Sequence, residues 1–571
     1  MLKKIISIIF LYSVLSFSQE NFIRVIVPEQ DTTISYSSTY RLSASTLPGS
    51  KIFVNDQEYK VYKSGAFCGA LKLNPGENSI LIKSISTKGE VVEKNLIINY
   101  KVSEKFIPPD ELKIVSVDMP SQNIIAMIGD EVDFRVKATA KCKVYVGVDY
   151  LLSEVVENGN HTGIYTGTYR VEKNFNNKIK IINDDGKNLE FDLPKKIEII
   201  TSHIIGKVKI KNPWDRPSIA IGLGTDRLGG QRFQYIVPDI KVVIIGKVGN
   251  MYKIKLDNLV GWIDQEYIEI LSEKQIPKSF TGTIRVAGGD KYDSVVVPLS
   301  VKLPYITYQD PELNRIIVDV FGAIGNTNWI TQYQNIKEIK NIYVNQVGIE
   351  TFRITIDLKH QQNYGYGIKY QNNSLIIKVK HHPQKLSLKD KVIVLDAGHG
   401  GTDNGALGST GYKEKDVNLN MVMILKEKFE KKGAKVILAR EKDTTMYNNY
   451  KLWKIWNYEP DIFISIHSNS IGMTSDPSLT SGVSTYYKHI IFKPLAQSIL
   501  KKCLELPLNE FGLVGNFNFA NVQPTEFINT LVELAFMSHP EDEMKLMDEK
   551  FLKKMADKIV DGTEQYLKNL R

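Results

Sequence analysis

Four side chains in the last third of the 571-residue chain could together do hydrolytic chemistry. His399 and His467 each follow an apolar run of the buried-strand type: KVIVLDA leads into Gly398-His399-Gly400-Gly401, and DIFISI leads into His467-Ser468-Asn469. Glu533 lies inside a third such run, TLVELAF, and Glu414 lies in Gly411-Tyr412-Lys413-Glu414-Lys415-Asp416, just before a helical pattern. Two imidazoles and one carboxylate make a three-ligand zinc set that leaves a fourth position for water. Glycines around His399 let the backbone turn sharply and leave the imidazole unshielded. Taken singly, each residue has a plainer alternative. A lone His is commonly a hydrogen-bonded core residue, and a Lys-Glu-Lys-Asp run commonly makes a solvated face. Glu533 reads equally as a strand residue paired to a nearby Lys, since an unpaired buried carboxylate is costly. Positions 399, 414 and 467 form no short-range HExxH pattern, so spacing alone does not choose between these readings.

The elements that must position these residues are of two kinds. From Lys389 onward, the apolar runs KVIVLDAG, AKVILAR, DIFISIHSN, GVSTYY and NTLVELAF alternate with helical stretches. Asp416 is expected to cap the helix VNLNMVMILKEKFEKK, with Gly433 at its C′ position. Strands alternating with helices imply an α/β domain over about 389–571, with a mainly parallel sheet covered on both faces. In open sheets of this kind, functional residues gather at the carboxyl ends of the strands. The first 385 residues instead alternate apolar and polar positions in short runs separated by Gly, Asn, Asp and Pro, the pattern of antiparallel β modules. Turn-rich stretches divide them into about 20–105 (sandwich-like), 111–197, 198–273 and 276–382. No helix of three turns is expected before about residue 410. The chain is thus multidomain, with N-terminal all-β modules followed by a C-terminal α/β domain.

Composition bounds the rest. With 43% hydrophobic and 24% charged residues, the chain is not disordered, collagenous or a multi-span membrane protein. Lys plus Arg number 73 against 64 Asp plus Glu, a formal charge of +9. Residues 386–571 hold 24 of each sign, so the whole excess lies in 1–385. The basic residues are scattered, so nucleic-acid binding is not implied. Residues 1–18 have Lys3 and Lys4, an apolar stretch to Leu15 and small residues at Ser16 and Ser18, which together read as a signal peptide and an exported protein. Cys68, Cys142 and Cys503 are far apart and read as ordinary small core residues rather than a disulfide framework.

In order along the chain, DAGHGGTDNGALGSTGYKEKDVNL, DIFISIHSN, SGVSTYY and TLVELAFMSHPEDE resemble the zinc-dependent N-acetylmuramoyl-L-alanine amidases of the bacterial cell wall. The resemblance spans about residues 389–571. It implies that His399, Glu414 and His467 are zinc ligands and that Glu533 is the catalytic carboxylate. The bond cut would be the amide joining N-acetylmuramic acid to the first L-Ala of the stem peptide, with Glu533 as general base towards a zinc-activated water. Asn469, two residues past His467, is placed to orient substrate or a ligand. Ala397 stands where the family often has Pro, and Ala535 where it often has Gly. Gln523 stands about where an Arg is frequent, which leaves open the substrate contacts of that loop. His489 and His539 are left with surface or structural roles. Upstream, MYKIKLDNLVGWIDQEYIEIL resembles the closing strands of bacterial Src-homology-3-like barrels, and RITIDLKHQQNYGYGIKYQNNSLIIKVK resembles the AMIN module. The expectation is a Zn2+-dependent peptidoglycan hydrolase, periplasmic or wall-associated, whose β modules favour anionic wall or membrane-surface polymers. The competing readings are a zinc peptidase on stem peptides and a catalytically silent wall-binding protein. An adhesin would leave His399, Glu414, His467 and Glu533 as coincidence.

Overall fold

A computed structural model describes residues 20–102, 106–224 and 229–570. The expected signal peptide lies outside the described residues. Up to residue 385 the described chain folds as β-sheet joined by turns, with one short 3-10 turn, Gln265–Tyr267. Period-2 patterning is the cause. In the strand Lys241–Val248, for example, Val242 and Ile244 point into the core while Val243 and Ile245 are half-buried.

The first β module pairs a three-stranded sheet (Ile23–Val27, Thr39–Thr46, Ala66–Lys72) with a five-stranded one built around Gly76–Ile85 and Val91–Tyr100. Leu42, Ile52, Phe67, Ile82 and Leu96 form its separate core. The second module is a seven-stranded sheet between Ile114 and Asp192, centred on Phe134, Val136 and Tyr165. Pairing does not stop at the 197/198 boundary suggested by the sequence. The strand Ile124–Met127 pairs in parallel with Ile197–Ile200 and antiparallel with Lys241–Val248, so one nine-stranded sheet joins the second and third modules. Free strand edges invite such continuation wherever a neighbour can supply amides and carbonyls. Between Ser279 and Lys380 lie sheets of two, five and four strands. A single apolar cluster then runs from Val208 through this region into the C-terminal domain, whereas the first and second modules keep cores of their own.

The C-terminal domain has six strands: β1 (Val392–Ala397), β2 (Lys435–Leu438), β3 (Ile462–Asn469), β4 (Val483–Tyr487), β5 (Glu510–Gly515) and β6 (Ile528–Phe536). Its five helices are α1 (Glu414–Lys431), α2 (Asn448–Asn457), α3 (Lys493–Cys503), α4 (Pro540–Met547) and α5 (Glu549–Lys568). The strand order is β2-β1-β3-β6-β4-β5. The sheet is mixed: β1, β2, β3 and β6 run parallel, as do β4 and β5 with each other, but β4 is antiparallel to β6. Helices cover both faces. Ile393 and Leu395 pack with Met421, Leu425 and Phe429 of α1, while Val394 packs on the other side with Leu452 and Ile455 of α2. Because β1, β3 and β6 are covered on both sides, they are apolar along almost their whole length.

Helix α1 starts earlier than its sequence suggests. Its N-cap is Lys413, which makes no side-chain cap, and Asp416 sits in the first turn rather than capping. Carbonyls of the preceding loop take over the capping task. The Glu414 amide donates to Ala406 O at 2.9 Å and the Lys415 amide to Asn404 O at 3.2 Å. The C-terminal end is as expected: Gly433 adopts φ +85°. The Gly433 and Ala434 amides close on Glu430 O and Phe429 O, a Schellman motif.

Candidate metal centre

The site is built at the carboxyl ends of adjacent strands. His399 follows β1 through a Gly398 hinge, Glu414 opens α1, His467 is near the end of β3, and Glu533 lies in β6. His467 and Glu533 are register neighbours across the parallel β3–β6 pair, so their side chains issue side by side from the same face. His399 adopts φ +61°, a left-handed conformation uncommon for a non-glycine residue and held here by the tight turn into Gly400 and Gly401. Two glycines are required by close approach. A Cβ on Gly398 would lie 2.2 Å from His467 Cε1, and one on Gly405, itself at φ +64°, would lie 2.5 Å from Glu414 Oε2.

His399, Glu414 and His467 converge so that one donor atom of each lies within 4.8 Å of the others. Glu414 Oε1 is 3.2 Å from His399 Nε2 and 3.1 Å from His467 Nδ1. The same oxygen accepts from the Ser468 amide at 3.1 Å and from Asn418 Nδ2 at 3.1 Å, and Oε2 accepts from the Ala406 amide at 2.8 Å. The two imidazoles meet edge to face, with ring centroids 5.0 Å apart. Burial alone would raise the Glu414 carboxyl, but its bonds to His399 and His467 outweigh that and hold it well below the usual carboxylate range. Burial likewise lowers His399, yet the Glu414 and Asp403 carboxylates bring it up to about 9. Glu533 goes the other way. Burial, and then repulsion from Glu414, push its carboxyl well above the ordinary range, with His399 opposing. Its Oε2 is buried with no hydrogen-bond partner among the described residues.

These donors fit a divalent transition metal. They comprise two imidazole nitrogens and one carboxylate at the base of a partly open site, beside a carboxyl with an uncommitted oxygen. Residues that the sequence reading did not single out complete the arrangement. Asp403 Oδ2 lies 2.8 Å from His399 Nδ1, which leaves Nε2 facing Glu414 as the nitrogen available to a metal. Asn418, one turn along α1 from Glu414, donates to its carboxylate. Asp403 lies in the same glycine-rich stretch as His399, and the i, i+4 spacing of Asp403 was the available signal.

The remaining expectations separate clearly. Asn469 ends β3, and its Oδ1 accepts from the Ser470 amide at 2.8 Å. Gln523 is not at the site. It precedes β6, at the opposite end from Glu533, where it is buried and bonds Lys488 Nζ and the carbonyls of Phe517 and Phe519. His489 bonds Gln523 O on that same side. His539 is buried at the start of α4. Cys68 and Cys503 are buried, Cys142 is half-buried, and all three are free thiols.

A histidine pair and two carboxyls in contrasting surroundings, gathered where strands end and α1 begins, are a donor set of the kind that metal-dependent hydrolases use. A family model for N-acetylmuramoyl-L-alanine amidase matches residues 393–565, and one for the AMIN domain matches residues 283–379. The probable cell wall amidase LytH of Staphylococcus aureus is 31% identical over 202 residues, which are 34% of this chain and 65% of that protein. The chain therefore spans 65% of the length of the curated relatives it matches first. Among solved structures, the catalytic domain of the N-acetylmuramoyl-L-alanine amidase CwlV from Bacillus (Paenibacillus) polymyxa var. colistinus is 31% identical. That match covers 32% of this chain and 99% of that one, at a TM-score of 0.29. The N-acetylmuramoyl-L-alanine amidase from Clostridium difficile 630 is 28% identical, covering 32% and 98%, at a TM-score of 0.30. By that family match, residues 393–565 form an N-acetylmuramoyl-L-alanine amidase domain.

Proposed function

We propose that the protein is an extracytoplasmic peptidoglycan hydrolase that cleaves the amide between N-acetylmuramic acid and the first L-Ala of the stem peptide. The observation that carries this reading is the convergence of His399, Glu414 and His467 beside a buried Glu533, within a domain of the amidase family. His399, Glu414 and His467 would hold zinc, which when bound supplies Lewis acidity and a water acidified towards a pKa of about 7. Asp403 and Asn418 keep the ligand side chains in place. Glu533, in its ionised form, would accept a proton as water attacks the scissile carbonyl. The same carboxyl then delivers that proton to the departing L-Ala nitrogen. Asn469, at the end of β3, would orient substrate or a ligand.

The AMIN match at 283–379 supports a role outside the cytoplasm at the wall. No helix among the described residues is long and apolar enough to cross a membrane. Residues 20–385, which form the β modules, carry +7 of the chain's +9, the other two charges being Lys3 and Lys4, and this favours anionic wall or membrane-surface polymers as their partners. Removal of the metal tests the catalytic part. Chelation is expected to abolish release of soluble products from purified peptidoglycan, and a stoichiometric addition of Zn2+ is expected to restore it. Full activity in metal-free protein would refute the assignment.

A further inference from the structure

Three segments flank the site residues along the chain: residues 408–413 before Glu414, 470–480 after His467, and 537–541 after Glu533. The first β module touches all three. Arg24 Nη1 donates to Thr410 O at 3.4 Å, and Lys60 Nζ pairs with Glu541 Oε1 at 3.0 Å. The Tyr62 ring meets His539 edge-on, with centroids 6.5 Å apart.

Arg41 is the centre of this interface. It is only 4% exposed, and burying a guanidinium is costly unless its donors are satisfied. Nε donates to Ser43 Oγ at 2.9 Å within its own module, while Nη1 donates to Ser470 Oγ at 3.2 Å and to Ile471 O at 3.1 Å. Its backbone amide donates to Met473 O at 2.8 Å. That main-chain bond exploits a free edge. The strand Ile23–Val27 pairs with Thr39–Thr46 only from Ser43 onward, so the amide of Arg41 has no neighbour in its own sheet on that side. The loop supplies the missing partner, as an added strand would. The same loop is tied to the segment after Glu533, because the Met537 amide donates to Asn469 O and the Ile471 amide to Ser538 Oγ. Residues 470–480 contain no helix or strand and expose Met473 and Leu479. A loop of this length stays mobile unless held.

We propose that Arg41 is a positioning residue for catalysis: through Ser470, Ile471 and Met473 it fixes the loop that follows His467, so that the first β module completes the substrate cleft of the C-terminal domain. The substrate role rests on the proposed amidase function, whereas the clamp rests on the contacts alone. Arg41 touches none of the metal-binding side chains. Its loss is therefore expected to affect the fit of the substrate and to leave the metal and the proton transfer intact.

The test uses the full chain. Arg41→Ala should raise KM for a soluble peptidoglycan fragment about tenfold, the scale of a lost hydrogen bond to a charged group, with kcat and zinc content unchanged. Arg41→Lys, which keeps the charge but only part of the fork, should fall between. Lys60→Glu and Glu541→Lys change two exposed groups. Each alone should raise KM, and the two together should restore it. Hydrogen exchange supplies a readout independent of activity: amides in 471–480 should exchange faster in Arg41→Ala, while those of α1 and α5 keep their protection. Unchanged KM, unchanged loop exchange, or a rise in kcat without a change in KM would each overturn the proposal. A wild-type protein that cleaves no peptidoglycan would overturn the amidase reading instead, and the exchange measurement would still decide on the clamp.

Discussion

At the scale of single residues, the site separates two carboxyls by environment. Glu414 is surrounded by donors: two imidazoles, the Ser468 and Ala406 amides and Asn418. That surplus stabilises the ionised form, as a ligand requires. Glu533 is buried with an oxygen that no donor meets among the described residues, and burial with repulsion from Glu414 raises its carboxyl, which fits the proton-transfer role proposed for it. Glu533→Gln preserves shape and removes the base. Hydrolysis is expected to fall by roughly 10²- to 10⁴-fold, with metal content unchanged by elemental analysis. A variant that keeps wild-type turnover would remove Glu533 from the chemistry. His399, His467 and Glu533 could be picked out in the sequence because each stands in or just after an apolar run, whereas Glu414, in a charged run before a helix, took its role from the family resemblance. Asn418 could not, and Asp403 offered only its i, i+4 spacing from His399, since nothing in a one-dimensional pattern says which side chain a loop folds back onto.

At the scale of elements, helix α1 shows what local patterns miss. Gly433 was readable as a C-terminal stop because only a residue tolerant of φ +85° fits there. Its start was not, because carbonyls of the 404–406 loop satisfy the first amides in place of a side-chain cap. Gln523 illustrates the same limit: its position before β6 was legible, but its burial at the far end of that strand from the site depends on packing against Lys488. Lys488 sits at the junction between β4 and the third module, donating to Gln523 Oε1 and Phe233 O. Burial, together with the nearby Arg232 charge, lowers its amine from 10.5 to about 7. Between those values the unfolded chain binds the extra proton, so the native state gains stability as pH rises from about 7 towards 10. Lys488→Met should lose this gain. Denaturant midpoints of the two proteins are expected to diverge in favour of wild type between pH 7 and 10, and a difference that stays flat with pH would contradict the assignment.

At the scale of the whole molecule, the alternation of apolar and polar residues marked the first 385 residues as β modules, but it did not reveal which of them share a core. The third module, the AMIN region and the catalytic domain form one apolar cluster, and the first module reaches back across the chain to the segments that flank the site residues. Long-range docking of this kind leaves no periodic trace in sequence. The net charge is divided in the same way: the amidase domain is balanced, and the excess of +9 belongs to the part upstream. Binding of the Glu533→Gln protein to intact wall material should weaken as salt rises, since screening acts over about 10 Å at 0.1 M. Salt-insensitive binding would remove electrostatics from the β modules' role. The central claim concerns a single bond, and product analysis of purified peptidoglycan digested by the full chain tests it most directly. The expected result is intact stem peptides beginning with L-Ala, released together with glycan strands bare of peptide. Peptides cut within the stem, with stubs still attached to muramic acid, would contradict it.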